Sequence, residues 1–394
     1  MHILHVVPTY LPAWRYGGPI RSVHALCMAQ LEEGHDVQVL TTNVNGDENL
    51  LVPVSEAVNL DKGLTVNYCS VIWRRTFLSV GMWRFLWNNH SEYDVFHIHS
   101  AFLFPTTMAA LIARIFKIPY VISPRGLLMP EMIRAKGELR KKLWISIFER
   151  RNLRYASAVH ATSNAERQGL EQIGVPSSLI TVIRNGVPLI EEVSPENKKP
   201  SDGRYDIPVR PYLLYLGRLN WKKGIDKLIR AMVDMDEYLL YVVGNKEDEY
   251  GEALEGLVGE LKLTGRVHFL GEVVGSAKNR LYREAELFVL PSRSENFGNV
   301  VLEALMEGCP VAVTRGVGLA EIVEKEGLGI IIDSDPDQMA VMIKDFLSNK
   351  NLTTQIRRCA AEKVSNIFSW HSISREFTAV YERAIELKCL QSVK

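Results

Sequence analysis

The chain reads as an α/β protein built from two doubly wound, parallel-sheet domains. Three observations predict this. Its 394 residues exceed what a single core usually supports, roughly 250–300 residues. Short apolar runs alternate with amphipathic stretches along its length, the pattern of a parallel sheet covered on both faces. A polar stretch rich in Pro and Gly, 194–211, interrupts this rhythm near the middle and reads as a linker.

In the first half, Ile3–Val7 reads as a strand. Ile20, Val23, Leu26, Cys27 and Leu31 then fall at helical spacing, with Gly34 as the stop. Val37–Thr41, Val95–His99 and Tyr120–Ser123 are further strands, with a helix near 105–116. Ala158–Thr162 and Ile180–Ile183 follow. After the linker come strands Tyr212–Leu216, Tyr238–Val243, Val267–Leu270, Leu287–Leu290, Val311–Thr314 and Gly329–Ile332. Helices near 225–233, 251–262, 276–285 and 298–307 separate them. The stretch from about 337 to 390 reads as helical, anchored by Trp370 and Tyr381. In two such domains facing each other, the expected ligand site is the cleft at the strand C-terminal ends.

Composition narrows the function. Lys+Arg and Asp+Glu both number 46, so no global field draws in nucleic acid, and an anion site has to be local. The five cysteines are scattered without a Cys-x-x-Cys pair, which points to buried thiols in a reducing compartment. His2–Val7 is too short for a signal sequence and no run of 18 apolar residues occurs, so a cytoplasmic enzyme is expected.

Residues 291–310 carry the most chemical information. After the run Leu287–Leu290, a polar turn leads into a helix that Gly308 and Pro310 stop. Gly298 and Asn299 stand at the helix mouth, where unpaired N–H groups and a partial positive charge suit a diphosphate. Glu295 precedes the helix and Glu303 lies within it. Carboxylates beside an anion site make sense as acceptors for sugar hydroxyls. Diphosphate cradle plus hydroxyl acceptors describes a nucleotide sugar. The plainer reading, Glu303 and Glu307 on a wet helix face, stands beside it.

Other motifs extend the site. Gly217-Arg218-Leu219-Asn220-Trp221-Lys222-Lys223-Gly224 follows a strand and offers fixed cations for a leaving diphosphate. Lys222 beside Lys223 leaves both lysines open for that role. Gly17-Gly18-Pro19 follows the first strand and allows close backbone approach, but lacks the dinucleotide fingerprint, which argues against a dehydrogenase. In Asp94-Val-Phe-His-Ile-His, His97 and His99 share one strand face; His99 is expected to reach the cleft and His97 to lie in the core. No third ligand at metal spacing accompanies them. Asp234-Met-Asp236 and Asp333-Ser-Asp335 sit among turn residues and read as surface loops, so no metal is expected. Stretches 134–154 and 73–87 mix cations with aromatics. That composition fits either packing into the core or lying on an anionic membrane.

Taken in order, these motifs resemble glycosyltransferase family 4, retaining enzymes of the GT-B type. The carriers are the Gly17-Gly18 loop, residues 94–99, Asn185-Gly186-Val187, Gly217-Arg218-Leu219 with Lys223-Gly224, Val242-Val-Gly244, and Glu295 through Glu303. Ser123-Pro-Arg-Gly126 is similar to a subset that builds surface polysaccharides. The resemblance implies two Rossmann-like domains across a cleft: 1–193 plus about 372–394 on the acceptor side, and 212–371 for the donor.

It also implies roles. Arg218 and Lys223 bind and stabilise the leaving diphosphate. Glu303 accepts the ribose hydroxyls, while Glu295 and His99 meet the donor sugar. Gly17, Gly18, Gly298 and Asn299 line the donor, and Arg125 stands on the acceptor side. The implied substrates are a UDP- or GDP-sugar without a required metal, and a glycan or lipid-linked acceptor at the inner membrane face. A sugar-nucleotide epimerase shares the double fold but needs no acceptor, and a non-catalytic binding subunit would bind without turnover.

Overall fold

A computed structural model describes residues 1–13, 18–54, 56–60, 63–135, 137–187, 210–245 and 249–392. Gly17 and most of the expected linker, 194–209, lie outside the described residues. The chain divides into two compact units. One comprises Met1–Gly186 with Ser369–Lys394, the other Val187–Phe368.

The first unit is built on an eight-stranded sheet. Its strands are β1 (His2–Thr9), β2 (Asp36–Thr42), β5 (Ala57–Asn59), β6 (Thr65–Cys69), β7 (Val95–His99), β8 (Tyr120–Ser123), β9 (Ala158–Ala161) and β10 (Ile180–Val182). A small antiparallel hairpin, β3 (Val44–Asn45) with β4 (Glu48–Asn49), stands apart. The order is β10-β9-β8-β7-β1-β2-β6-β5, parallel throughout except at β5–β6. From β1 the chain builds outward to β2 on one side and, later, to β7 on the other. The sheet therefore changes winding direction between β1 and β7, where such folds open a ligand crevice.

Both sheet faces are covered, as the apolar runs require. Leu4, Val6, Phe96 and Ile98 enter one core, and Ile3, Val7 and Val95 the other. The closing helix, Trp370–Ser392, belongs to this unit. Trp370, Ile373, Phe377 and Tyr381 recur at helical spacing and fill the second core. Gly186 makes room for it, since a Cβ there would lie 2.5 Å from the Trp370 ring.

The second unit holds a six-stranded parallel sheet: β11 (Tyr212–Leu216), β12 (Leu239–Val243), β13 (Val267–Gly271), β14 (Leu287–Leu290), β15 (Val311–Val313) and β16 (Gly329–Ile331). The order β13-β12-β11-β14-β15-β16 puts its switch point between β11 and β14. The loops after these two strands are laced together. Arg293 N–H donates to the Lys222 carbonyl at 2.7 Å. Gly224 has φ +65°, and a Cβ there would lie 2.3 Å from the Pro291 carbonyl oxygen. Only glycine permits this approach.

Several elements differ from the sequence reading. The helical stretch from about 337 resolves into Pro336–Ser348, Lys350–Ile367 and Trp370–Ser392. The first break is marked by Asn349, whose side chain accepts from Leu352 N–H at 3.1 Å as an N-cap. Sequence periodicity passed over β6, whose Asn67 breaks the apolar run, and the three-residue edge strand β5, while the basic-aromatic stretch 73–87 carries most of helix Val80–Asn89. Stretch 134–154 contains a π-helical turn, Ile145–Glu149. In it Glu149 is buried and accepts from Phe102 N–H at 2.8 Å and from Trp144 Nε1–H at 3.2 Å.

Candidate active site

In the second unit, the switch point gathers the expected donor-side residues. Lys223 closes a short 3-10 turn after β11, and its Nζ bonds the Glu295 carboxylate from the loop after β14. Lys222 lies instead over the Trp221 ring, 5.8 Å from its centroid. Neighbouring lysines thus face different partners. Arg218 is exposed at the end of β11, where Tyr215 O–H donates to its carbonyl at 3.0 Å. Glu295 is pinned through its backbone, which donates to the Gly316 carbonyl at 2.8 Å and accepts from Gly318 N–H at 2.9 Å.

Helix Asn299–Met306 begins directly after Gly298, whose φ of +97° turns the chain into it. A Cβ at Gly298 would lie 3.0 Å from Val317 and 3.6 Å from Glu295, so this helix start and the Glu295 side chain adjoin. Glu303, in that helix, accepts from Tyr282 O–H at 3.1 Å and pairs with Lys278 Nζ at 3.4 Å. Tyr282 and Lys278 come from helix Gly275–Glu284 and were not singled out in the sequence. Their one-turn spacing on a polar-rich helix was the available signal. Glu303 and Glu295 therefore each carry a cationic partner, which distinguishes them from a solvated face.

The Asp-x-Asp pairs serve local structure. Asp335 caps helix Pro336–Ser348 by accepting from Gln338 N–H at 3.2 Å, and Asp333 accepts from Asp335 N–H at 2.8 Å. Asp236 pairs with Arg266 at 3.1 Å.

In the first unit, the strand ends around the β1–β7 switch point carry a single hydrogen-bonded chain. His160 Nε2 lies 2.7 Å from the Ile183 carbonyl, which can only accept, so that nitrogen bears the proton. Its Nδ1 then accepts from Ser123 Oγ at 2.7 Å, and Ser123 accepts from His97 Nε2 at 2.7 Å. His97 Nδ1 accepts from Tyr381 O–H at 2.6 Å. Gln30 donates to Tyr381 at 3.3 Å and accepts from His5 Nε2 at 2.8 Å. His5 Nδ1 accepts from His99 Nε2 at 3.0 Å, leaving His99 Nδ1 to accept from Arg125 Nη2 at 3.4 Å. Every bond points the same way, and the pattern closes only if all four imidazoles are neutral. Burial drives them there, lowering His5 to about 4 and His160 to about 3 and holding His97 and His99 well below the ordinary range.

His97 lies in the core, and His99 lies there too. The sequence reading expected His99 to reach the cleft; at 2% exposure, with both ring nitrogens engaged, it is buried. Arg125 covers it. A third histidine also joins the pair: His5 from β1 brings the ligand atoms of His5, His97 and His99 within 4.8 Å of one another. Sequence spacing missed it because His5 is distant in the chain. Gly18 begins helix Gly18–Glu32.

Of the two basic-aromatic stretches, 134–154 divides its apolar groups. Trp144 packs on Phe104 with ring centroids 5.7 Å apart, whereas Leu139, Leu143 and Ile147 are 84%, 61% and 49% exposed. In 73–87, Met82 and Leu86 are buried while Trp73 and Trp87 remain exposed. Among the described residues, no helix is long and apolar enough to cross a membrane.

Two domain families match the two units in turn. Residues 17–186 match the glycosyl transferase 4-like domain, and residues 203–363 match glycosyl transferases group 1. An uncharacterised glycosyltransferase of Methanocaldococcus jannaschii is 27% identical over 404 aligned positions, covering 95% of this chain and 97% of that protein. A lipopolysaccharide core biosynthesis mannosyltransferase of Rhizobium leguminosarum bv. viciae is 29% identical across 61% of this chain and 70% of its own length. Among solved structures, Anabaena HepE in complex with UDP and glucose superposes with a TM-score of 0.72 at 21% identity, covering 97% of this chain and 99% of that one.

Two Rossmann-like units in this order, each matched by its own domain family, define an enzyme of the GT-B fold. The chain is a glycosyltransferase, related to the superfamily that includes the group 1 and 4-like glycosyl transferases.

Proposed function

We propose that the chain is a retaining, metal-independent hexosyltransferase. It takes a sugar from a UDP- or GDP-sugar and passes it to a glycan or lipid-linked sugar acceptor in surface polysaccharide assembly. The observation that carries this is the switch point of the second unit, where Lys223 and Glu295 are bonded beside the mouth of helix Asn299–Met306.

Lys223 Nζ has donors to spare after its bond to Glu295, and these meet the donor diphosphate together with Arg218. As the bond between anomeric carbon and phosphate oxygen breaks, the growing charge on that oxygen is met by fixed cations already in place. Glu295 accepts sugar hydroxyls and Glu303 accepts the ribose hydroxyls. Tyr282 and Lys278 fix the Glu303 carboxylate for that purpose. Gly298 and Asn299 keep the helix mouth open to phosphate. Gly18, which begins helix Gly18–Glu32, is assigned to the donor and Arg125 to the acceptor. The Rhizobium mannosyltransferase and the Ser123-Pro-Arg-Gly126 motif support the polysaccharide assignment.

Metal independence rests on the chemistry of the candidate ligands. The His5, His97 and His99 nitrogens are taken up by a directional hydrogen-bonded chain, and the Asp-x-Asp pairs cap or pair locally. The exposed Leu139, Leu143 and Ile147 recur every four residues among Arg140, Lys142, Arg150 and Arg151, which suits peripheral contact with an anionic membrane face. The test is turnover with UDP- and GDP-sugars and an extracted lipid-linked acceptor, with the product anomer read by NMR. Retained configuration and full activity in chelator are expected. An inverted product, or activity restored only by manganese, would reject the mechanism.

A further inference from the structure

We infer that Arg125 forms a second anion site, in the first unit, that receives a phosphate or carboxylate carried by the acceptor. The inference deepens the acceptor-side reading above and rests on it.

Arg125 is a half-buried cation with neutral bonded partners. Nη1 donates to Asn185 Oδ1 at 2.9 Å and to Ser22 Oγ at 3.4 Å, and Nη2 donates to His99 Nδ1 at 3.4 Å. Its Nε is buried without a hydrogen-bond partner among the described residues. No carboxylate forms an ion pair with it among the described residues. Glu166, the acid whose field it feels most, spends its oxygens on Gly126 N–H and on the N–H and hydroxyl of Thr162. A guanidinium taken out of water ordinarily has an anion against it.

The surroundings sharpen this. Ser22, which meets Nη1 through Oγ, lies in the second turn of the fifteen-residue helix Gly18–Glu32 and is itself neutral. The guanidinium thus meets only neutral acceptors, an arrangement that an anion relieves. The imidazoles behind Arg125 are neutral and add no charge. Arg125 itself is held in a left-handed backbone conformation, φ +57°, in the turn after β8. The hydrogen-bonded chain that ends on Nη2 fixes its orientation, which makes His99 a positioning residue acting through Arg125.

The same chemistry could be supplied by the donor diphosphate, and the experiment separates the two sources. Inorganic phosphate is titrated into the full-length protein by calorimetry, alone and after saturation with UDP or GDP. In the wild type, phosphate is expected to bind equally well in both cases. Arg125→Gln should weaken phosphate at least tenfold while nucleotide affinity stays within twofold, and Arg125→Lys should recover part of the loss. His99→Asn should weaken phosphate by less than Arg125→Gln does, because the guanidinium remains but loses the partner that orients Nη2. Phosphate binding that vanishes once nucleotide is bound, or that Arg125→Gln leaves intact, overturns the inference. So does a tenfold loss of nucleotide affinity in Arg125→Gln. If neither UDP nor GDP binds the wild type, the donor reading fails while phosphate binding sensitive to Arg125→Gln still stands.

Discussion

Lys223 and Glu295, 72 residues apart in the chain, are bonded to each other across the switch point of the second unit. The contact exists because the loops after β11 and β14 are sewn together by the Arg293–Lys222 backbone bond and by the bare backbone of Gly224. It places a cation and a carboxylate side by side beside one helix mouth.

Removing either fixed cation should cost turnover while sparing the fold. Lys223→Ala and Arg218→Ala are each expected to lower kcat by about 10²–10³, the range typical of losing one charge-stabilising donor. Circular dichroism should stay unchanged. Near-native rates in both variants would refute the leaving-group role.

Donor affinity should depend on how Glu303 is held. Glu303→Ala is expected to raise the donor KM more than it lowers kcat, on the order of tenfold or more for a lost charge-assisted pair. Tyr282→Phe should give a smaller change of the same sign, because Lys278 still orients the carboxylate. Steady-state kinetics with varied donor read both, and an unchanged KM in Glu303→Ala would remove the ribose assignment.

Acid should destabilise the first unit. His5 and His160 are held near 4 and 3 by burial, below the ordinary histidine value of about 6.5. Above about pH 6.5 folded and unfolded chains are both neutral at these sites. As pH falls from there toward 4, the unfolded chain takes up protons that the folded chain refuses, so stability drops. The loss should be on the order of a few kcal/mol across the window. Thermal melts from pH 7.5 to 4.5 would record it, and a flat profile would contradict the neutral chain.

Membrane contact should be governed by the Leu139, Leu143 and Ile147 stripe. Co-sedimentation with vesicles containing anionic lipid is expected at low salt and should weaken at high salt, as screening shortens the reach of the flanking cations. Leu143→Glu with Ile147→Glu should abolish it without altering turnover on a water-soluble acceptor. Equal sedimentation of wild type and double variant would dismiss this surface.

The sequence alone determined most of the parallel strands, the division into two α/β units and the residues that gather at the second switch point, though not β5 or β6. Each of these is written locally: a buried parallel strand is an apolar run, a helix stop is Gly then Pro, and Glu295, Gly298 and Glu303 share one strand–turn–helix segment. Tertiary structure alone decided which groups meet. It chose Lys223 over Lys222 for Glu295, brought Tyr282 and Lys278 to Glu303, and added His5, Gln30, Ser123, His160 and Tyr381 to the two histidines of β7. It also buried His99, expected to reach the cleft, behind Arg125. The reason is physical. Apolar periodicity reports which face of an element is buried, whereas a hydrogen bond between distant strands depends on sheet order and register, which no short stretch of sequence encodes.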